Sequence, residues 1–317
     1  MTIDHEARSI GCLLGAACGD ILGAAVEGWS AKDILRQYGR LREFLDTGRG
    51  LGCYTDDTQM TLALAASLVE VGGVDAERIS AKYAEYYEPW RGYGGAAHRV
   101  MLALRAGLDY RGTGRLQFPD GSFGNGGAMR IAPVGLAYRH APAELLREAV
   151  AAAILCTHVH PEAIDGALVQ AKAVAIAATT PDPGQLNPEG LLRSLLAPSQ
   201  TPIMQTKLER LLDSLRHDDA DDFAIAMVGN GIRTAEAVAA ALWAFVRNWS
   251  NPEECVIRAV GFGGDTDTIG AMAGALAGAL HGPAWIPARW YGLIENGTHG
   301  RDEIVAVARQ LSRLDVT

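Results

Sequence analysis

At 317 residues with a formal net charge of −9, the chain is long enough to bury a full core and too acidic to offer an extended phosphate-tracking surface, so polynucleotides are not expected partners. Five cysteines, Cys12, Cys18, Cys53, Cys156 and Cys255, are odd in number and never form a C-x-x-C pair, which argues for reduced core thiols and against a disulfide frame or zinc ribbon. The first residues carry acids ahead of any apolar run and look like neither a secretory signal nor a transit peptide, so the expectation is a cytoplasmic protein without a membrane partner, and a monomer.

In chain order, Ala7 to Ile21 places Ile10, Leu13, Leu14, Ala17 and Ile21 on one helical face, and this helix is expected to end at the glycine-bracketed Asp20. Glu27 follows between Gly23 and Gly28, where the chain is expected to leave the helix as a mobile loop carrying a carboxylate. Asp20 reads as a capping or supporting acid rather than a direct ligand; Glu27, taken alone, reads as a solvated loop acid. Residues 31–52 suggest a small helix and a loop. Thr55-Asp56-Asp57-Thr58 then forms the first turn of a helix in which Met60, Leu64, Leu68 and Val71 share a face, closed by Gly72-Gly73.

Further helices are expected over 76–87 and 98–106. Between 109 and 127 lies a loop in which Gly121, Gly124, Gly126 and Gly127 surround Ser122, Phe123 and Asn125. It lacks the lysine and the spacing of a P-loop, yet its amides can face a pyrophosphate while Phe118 and Phe123 offer faces for a base; a tight turn with buried aromatics fits the residues equally well. From 142 onward the periodicity predicts helices over 143–156, 162–178, 203–216, 234–248, 252–260 and 301–313, with one short helix inside the proline-rich connection 181–202. Thr157-His158-Val159-His160 ends a helix, with His158 substrate-contacting or structural rather than a metal ligand. Asp218 to Asp222 reads as a solvated acidic turn. Asn230, Gly231 and Ile232 sit in a glycine turn suited to holding a ribose or phosphate. No alternating β-branched run requires a sheet, so the expected fold class is all-α.

The chain is organised around residues 261–282, GFGGDTDTIGAMAGALAGALHG. Asp265, Asp267 and Thr268 place three oxygen ligands within four residues, as a hard cation requires. Beyond them Gly270, Gly274 and Gly278 clear one helix face for a neighbour to approach backbone to backbone. Either acid-and-threonine cluster alone would pass for a helix cap. Two of them, at 55–58 and 265–268, each opening a helix, are more than routine capping leads one to expect.

Seven stretches in one order, GDILGAAVE (19–27), YTDDTQM (54–60), RGYG (91–94), GSFGNGGAMR (121–130), TH (157–158), GNGI (229–232) and GGDTDTIGAMAGALAGA (263–279), give the chain its resemblance to the ADP-ribosylglycohydrolase family. RGYG, GSFGNGGAMR and GNGI resemble the branch acting on serine-linked ADP-ribose, poly(ADP-ribose) and O-acetyl-ADP-ribose. The resemblance implies a single compact domain over 1–317, an orthogonal multi-helix bundle with a dinuclear cleft holding two magnesium ions, or manganese. By it, Thr55, Asp56, Asp57, Asp265, Asp267 and Thr268 would be metal ligands. Phe118 and Phe123 would flank the adenine, Gly121 and Ser122 would hold the pyrophosphate, Gly124 and Asn125 of the same loop would also bind substrate, and His158 with Asn230, Gly231 and Ile232 would contact the ADP-ribose. Glu27 would sit on a mobile flap. Phe123 stands where some relatives have tyrosine, and the arginine-linked, nitrogenase-regulating members carry an acid near the place of Arg91 to Gly94, which weakens an arginine-linked substrate.

Cleavage at the distal ribose C1 develops positive character there and negative character on the leaving atom. Two cations about 4 Å apart can grip the ribose hydroxyls and a water. Glu27, outside that ligand set, is the candidate general acid or base, with Asp56 and Asp57 the other catalytic candidates. An arginine-linked hydrolase, a non-catalytic ADP-ribose-binding relative and a two-metal phosphohydrolase are the alternatives.

Overall fold

Residues 3–317 of the chain are described by a computed structural model. It begins with Asp4, whose carboxylate accepts a hydrogen bond from the Ala7 amide at 2.9 Å and so caps the first helix. The helices are α1 (His5–Ala24), α2 (Ala31–Tyr38), α3 (Asp56–Val71), α4 (Ala76–Tyr86), α5 (Gly95–Arg105), α6 (Tyr110–Thr113), α7 (Gly126–Met129), α8 (Ala132–Ala137), α9 (Ala143–Ile154), α10 (Pro161–Thr179), α11 (Pro188–Leu196), α12 (Pro202–Arg216), α13 (Asp221–Val228), α14 (Thr234–Asn248), α15 (Pro252–Gly261), α16 (Thr266–His281), α17 (Ala288–Tyr291) and α18 (Arg301–Leu311). No strand occurs among the described residues. Two isolated antiparallel bridges, Ser30 with Gly263 and Gly124 with Arg233, do.

The centre of the bundle is the antiparallel pair α1 and α16. Gly11, Gly15 and Gly19 of α1 face Gly278, Gly274 and Gly270 of α16, and a Cβ added at Gly15 would stand 2.3 Å from the Gly274 carbonyl oxygen. Each glycine in a helix interior costs about 1 kcal/mol against alanine. Backbone-to-backbone packing at each of these positions is what offsets that cost here. The remaining faces of α16 are covered by α10, α14 and α15, so every residue from Thr266 to Leu280 is buried. Helix α1 has the length and mean hydropathy of a membrane span, but its apolar surface is taken up by this packing.

Two expectations need correction. Helix α1 does not stop at Asp20 but runs to Ala24, because Gly19 and Gly23 are contact positions against α16 rather than breakers. The acidic stretch at 218–222 is not wholly a solvated turn either. Asp221 and Asp222 open α13, and Asp221 accepts a hydrogen bond from the Trp243 indole at 3.0 Å while pairing with Arg258 at 3.3 Å. The first turn of a helix favours such acids through its dipole.

Candidate active site

The antiparallel α1–α16 contact sets the C-terminal end of α1 beside the N-terminal end of α16, and Asp20 ties both to α3. Fully buried, its carboxylate accepts hydrogen bonds from the Thr55 amide (3.0 and 3.1 Å), the Thr58 amide (3.1 Å) and the Thr58 hydroxyl (2.5 Å). The start of α3 is thus fixed against the end of α1. Residues 55–58 and 265–268 meet there, as the sequence leads one to expect.

Past α1 the chain turns at 25–28 and is pinned to the entry of α16: the Gly28 amide donates to the Gly264 carbonyl at 2.8 Å, and the Gly264 amide donates to the Trp29 carbonyl at 2.9 Å. Gly28, Gly263 and Gly264 all take positive φ, which only glycine adopts without strain. The result is that oxygen atoms of Glu27, Asp265 and Asp267 lie within 4.8 Å of one another. Glu27 therefore stands among the acids, not outside them.

Burial and mutual repulsion keep these acids protonated more readily than usual. Burial first, then the charge of Asp20, raises the Asp56 carboxyl to about 7. Asp57 is pushed well above the ordinary carboxylate range by burial, then by Asp20, Asp56 and Asp265; Asp267 is pushed up by burial, then by Asp57, Asp265 and Glu27. Burial also raises Glu27, with Asp265 adding to it. The Oδ1 atom of Asp57 is buried and has no hydrogen-bond partner. A buried carboxylate oxygen without a donor, amid acids of raised pKa, fits a site built to receive a cation.

The second wall comes from the glycine-rich loop. Its backbone is held to the start of α14: the Asn125 amide donates to the Ile232 carbonyl at 2.9 Å, and the Thr234 amide donates to the Phe123 carbonyl at 3.0 Å. The Asn125 side chain then donates to Asp265 Oδ2, so the loop positions one of the acids directly. His158 lies behind the loop, its Nδ1 2.8 Å from the Thr157 hydroxyl. Burial, with Arg130 adding to it, depresses its pKa to about 3, so its ring is neutral.

These walls enclose a cavity of about 330 Å³. Glu27, Asp56, Asp57, Asp265, Asp267 and Thr268 line one end, and Phe118, Ser122, Gly124, Asn125, His158 and Ile232 line the rest. Five expected residues do not face it. Thr55 is the N-cap of α3, accepting from the Asp57 amide at 3.3 Å. Gly121 is folded against Val159 and His160. The Phe123 ring meets His160 edge-on and lies under the Arg233 guanidinium. Asn230 donates to the Phe262 carbonyl at 2.9 Å and its own carbonyl receives the Asp265 amide at 2.9 Å, while the Gly231 amide is taken by Glu236.

Arg130, which also lines the cavity, was not anticipated. Buried to 1% exposure, it donates to the Tyr83 hydroxyl at 2.9 Å, the Gly126 carbonyl at 2.6 Å and the Thr157 hydroxyl at 2.5 Å. The signal was present: Arg130 is the one charge in the apolar run from Ala128 to Ala137.

Fold and cleft together define an all-helical enzyme with a carboxylate cluster fit for a cation. The chain belongs to the ADP-ribosylglycohydrolase family, whose signature matches residues 1–317, and it is a glycosyl hydrolase acting on ADP-ribose linkages. It is 30% identical to the ADP-ribosylhydrolase ARH3 of Bos taurus, covering 97% of this chain and 93% of that one, and 33% identical to ARH3 of Xenopus tropicalis, covering 89% of each. The ADP-ribosyl-[dinitrogen reductase] glycohydrolase of Rhodospirillum rubrum is 30% identical, covering 91% of this chain and 90% of its own. A solved structure described as an ADP-ribosylglycohydrolase-related protein complex matches with a TM-score of 0.74 at 30% identity, covering 99% of both chains.

Proposed function

We propose that the protein releases ADP-ribose from O-linked conjugates, of the serine or O-acetyl type, by hydrolysis at the distal ribose C1, using divalent cations held by the acids of α3 and α16. The observation that carries this reading is the unpartnered, buried Oδ1 of Asp57 at the acidic end of the cavity. Asp56, Asp57, Asp265, Asp267 and the Thr268 hydroxyl are the proposed ligands, with the Glu27 carboxylate close enough to Asp265 and Asp267 to join them. Magnesium, or manganese in its place, is favoured because every donor is a hard oxygen. When bound, such ions supply Lewis acidity and neutralise the cluster.

The chain's own groups account for the remaining work. Phe118, which lines the cavity, offers an apolar ring for the base, and Ser122 with Gly124 lines the same cavity and would hold the pyrophosphate. His158, held neutral, can exchange a hydrogen bond with the sugar without adding charge. Glu27, a carboxylate bordering the cavity, can give the leaving oxygen a proton or take one from the attacking water. Free cysteines, four of them buried, suit a reducing compartment, which favours a cytoplasmic location.

The test is a product assay on serine-, O-acetyl- and arginine-linked ADP-ribose, with and without EDTA. Intact ADP-ribose from the O-linked conjugates, abolished by EDTA and by Asp57→Ala, is the expected result. Turnover of the arginine conjugate alone, AMP as product, or full activity of Asp57→Ala in excess magnesium would each overturn it.

A further inference from the structure

Tyr54, the residue immediately before the first acid cluster, is fully buried, and each of its polar atoms is occupied by a residue remote in sequence. Its amide donates to Glu295 Oε1 at 3.0 Å. Its carbonyl accepts from Arg91 Nη1 at 3.0 Å. The hydroxyl donates to the His299 carbonyl at 2.9 Å, and the ring lies 3.8 Å below the Arg91 guanidinium, whose other face covers Trp90 at 3.9 Å. Arg91 and Glu295 also bind each other, Nη2 to Oε2 at 3.2 Å with a second, shorter contact beside it.

We propose that Arg91 and Glu295 are positioning residues for the acid cluster: together they hold the peptide groups on both sides of Tyr54 and so set the direction in which Asp56 and Asp57 enter the cleft. The inference rests on the cation reading above and goes beyond it, since neither side chain lines the cavity. Tyr54 is followed at once by Thr55, whose amide is fixed by Asp20. From Tyr54 to Thr58 the turn is therefore clamped from two sides, by Arg91 with Glu295 on one and by Asp20 on the other. Arg91 reaches α3 by a second route as well. Its Nε donates to Glu88 Oε2 at 3.0 Å, which also accepts from the Gln59 side-chain Nε2 at 2.9 Å.

The same clamp is joined to the wall of the cleft. Gly92 and Gly94, on either side of Tyr93, line the cavity, and the Tyr93 hydroxyl donates to Gln59 Oε1 at 2.8 Å. Glu295 closes the arrangement from the C-terminal side, its own amide donating to the Gly52 carbonyl at 3.0 Å. A guanidinium suits the role because its planar fork makes four directed hydrogen bonds here, to a carbonyl and two carboxylates, whereas an ammonium has three donors and no fixed plane. Charged groups this well matched to a backbone turn act as outer-sphere supports, fixing the ligands rather than touching the ion.

The test compares Arg91→Ala, Glu295→Ala, Glu295→Gln and the double alanine variant with the unaltered full chain, by manganese(II) titration followed by electron paramagnetic resonance, at a temperature where each variant retains its helical circular dichroism. Each alanine change is expected to weaken manganese binding about 10–100-fold. Glu295→Gln, which keeps an oxygen for the Tyr54 amide, is expected to recover most of that loss, and the double variant to be little weaker than either single one because both act on one turn. Folded alanine variants that bind manganese as the unaltered chain does, or losses that simply add, would overturn the proposal. Should the alanine variants not fold, Arg91→Lys carries the test, since it keeps the charge and loses the fork; unchanged affinity there overturns it equally. If the unaltered chain binds no manganese, the cation reading itself falls and this inference with it, an outcome distinct from a failure confined to the variants.

Discussion

A Cβ placed on Gly19 of α1 would come 1.9 Å from the carbonyl oxygen of Gly270 of α16. No side chain fits between these helices, and the acids at their adjoining ends owe their proximity to that fact. At Gly274 an added Cβ would meet the Gly15 carbonyl oxygen at 2.0 Å, whereas one at Gly261 would meet nothing within 4 Å. Gly274→Ala is accordingly expected to cost about 3 kcal/mol, the upper part of the overpacking range, and to lower activity further by parting Asp20 from α16. Gly261→Ala is the control and should melt within about 0.5 kcal/mol of the unaltered protein. Equal stability of the two variants in urea unfolding would show that the helices are not in backbone contact.

Asp20 contributes through what it accepts. It takes four hydrogen bonds from Thr55 and Thr58 while contributing no atom to the cavity wall. In Asp20→Asn one oxygen is replaced by a donor that faces donors, and hydrogen bonds to a charged group are worth about 1.5–3 kcal/mol each. The expected outcome is a loss of about 2–3 kcal/mol together with weaker binding of the cation, because α3 no longer starts in a fixed direction. Opposing this, the same change removes the second cause, after burial, of the raised Asp56 pKa. Calorimetric unfolding with and without magnesium separates the two effects; an unchanged melting temperature and magnesium response would remove Asp20 from this role.

How much of this was legible in the sequence depends on whether side-chain identity or backbone placement decides the feature. The glycine stripe of α16 was readable, and so was the existence of a close neighbour. The neighbour's identity was not, although Gly11, Gly15, Gly19 and Gly23 recur with the same spacing, because Gly19-Asp20 looked like a helix stop. Asp20 is tolerated inside a helix only because Thr55 and Thr58 arrive from elsewhere. Glu27 could be singled out as a carboxylate, but its place beside Asp265 comes from backbone hydrogen bonds between Gly28, Trp29 and Gly264, which leave no mark in side-chain pattern. Thr55 and Asn230 illustrate the converse. Both stand in motifs that carry chemistry, yet their side chains are spent on capping α3 and on holding Phe262. Glu295 lay outside every motif, and only its partner Arg91, which opens RGYG, stood in one.

Phe118 and Phe123 were expected to act alike and are predicted to differ. Both are about half exposed, at 44% and 49%. Phe118 faces the cavity, while the Phe123 ring is engaged by His160 and Arg233 outside it. Stacking of a base on an aromatic ring is worth about 1–3 kcal/mol, so Phe118→Ala should raise KM about 5-fold or more and leave kcat nearly unchanged. Phe123→Ala should change KM by less than about threefold, well under the value of a lost stack. Equal effects of the two substitutions in steady-state kinetics would show that the loop closes over the base in the working enzyme.

The pH dependence of stability should expose the cation site without any substrate. For Asp56 the folded pKa of about 7 lies above the ordinary value of 3.8, so between them the folded state holds more protons than the unfolded chain and stability falls as pH rises. Asp57, Asp267, Asp20 and Glu27 are raised too and act with the same sign. His158 opposes them over part of the range: with a folded pKa of about 3 against 6.5, it makes stability rise with pH across that interval and adds nothing above it. His281 and His5, whose pKa values burial also lowers, act as His158 does, but all three cease to contribute above the unfolded histidine value of 6.5, so the five raised carboxylates dominate from neutral pH upward. The metal-free protein in EDTA is therefore expected to melt lower at about pH 8 than at about pH 6. Magnesium or manganese, which binds the deprotonated acids, should reverse that slope, its stabilisation growing with pH. Scanning calorimetry at both pH values, with and without the ion, decides the matter. A metal-free melting temperature that climbs through this window, or a metal-induced shift no larger at the higher pH, would mean that the clustered acids do not share the burden of an empty cation site.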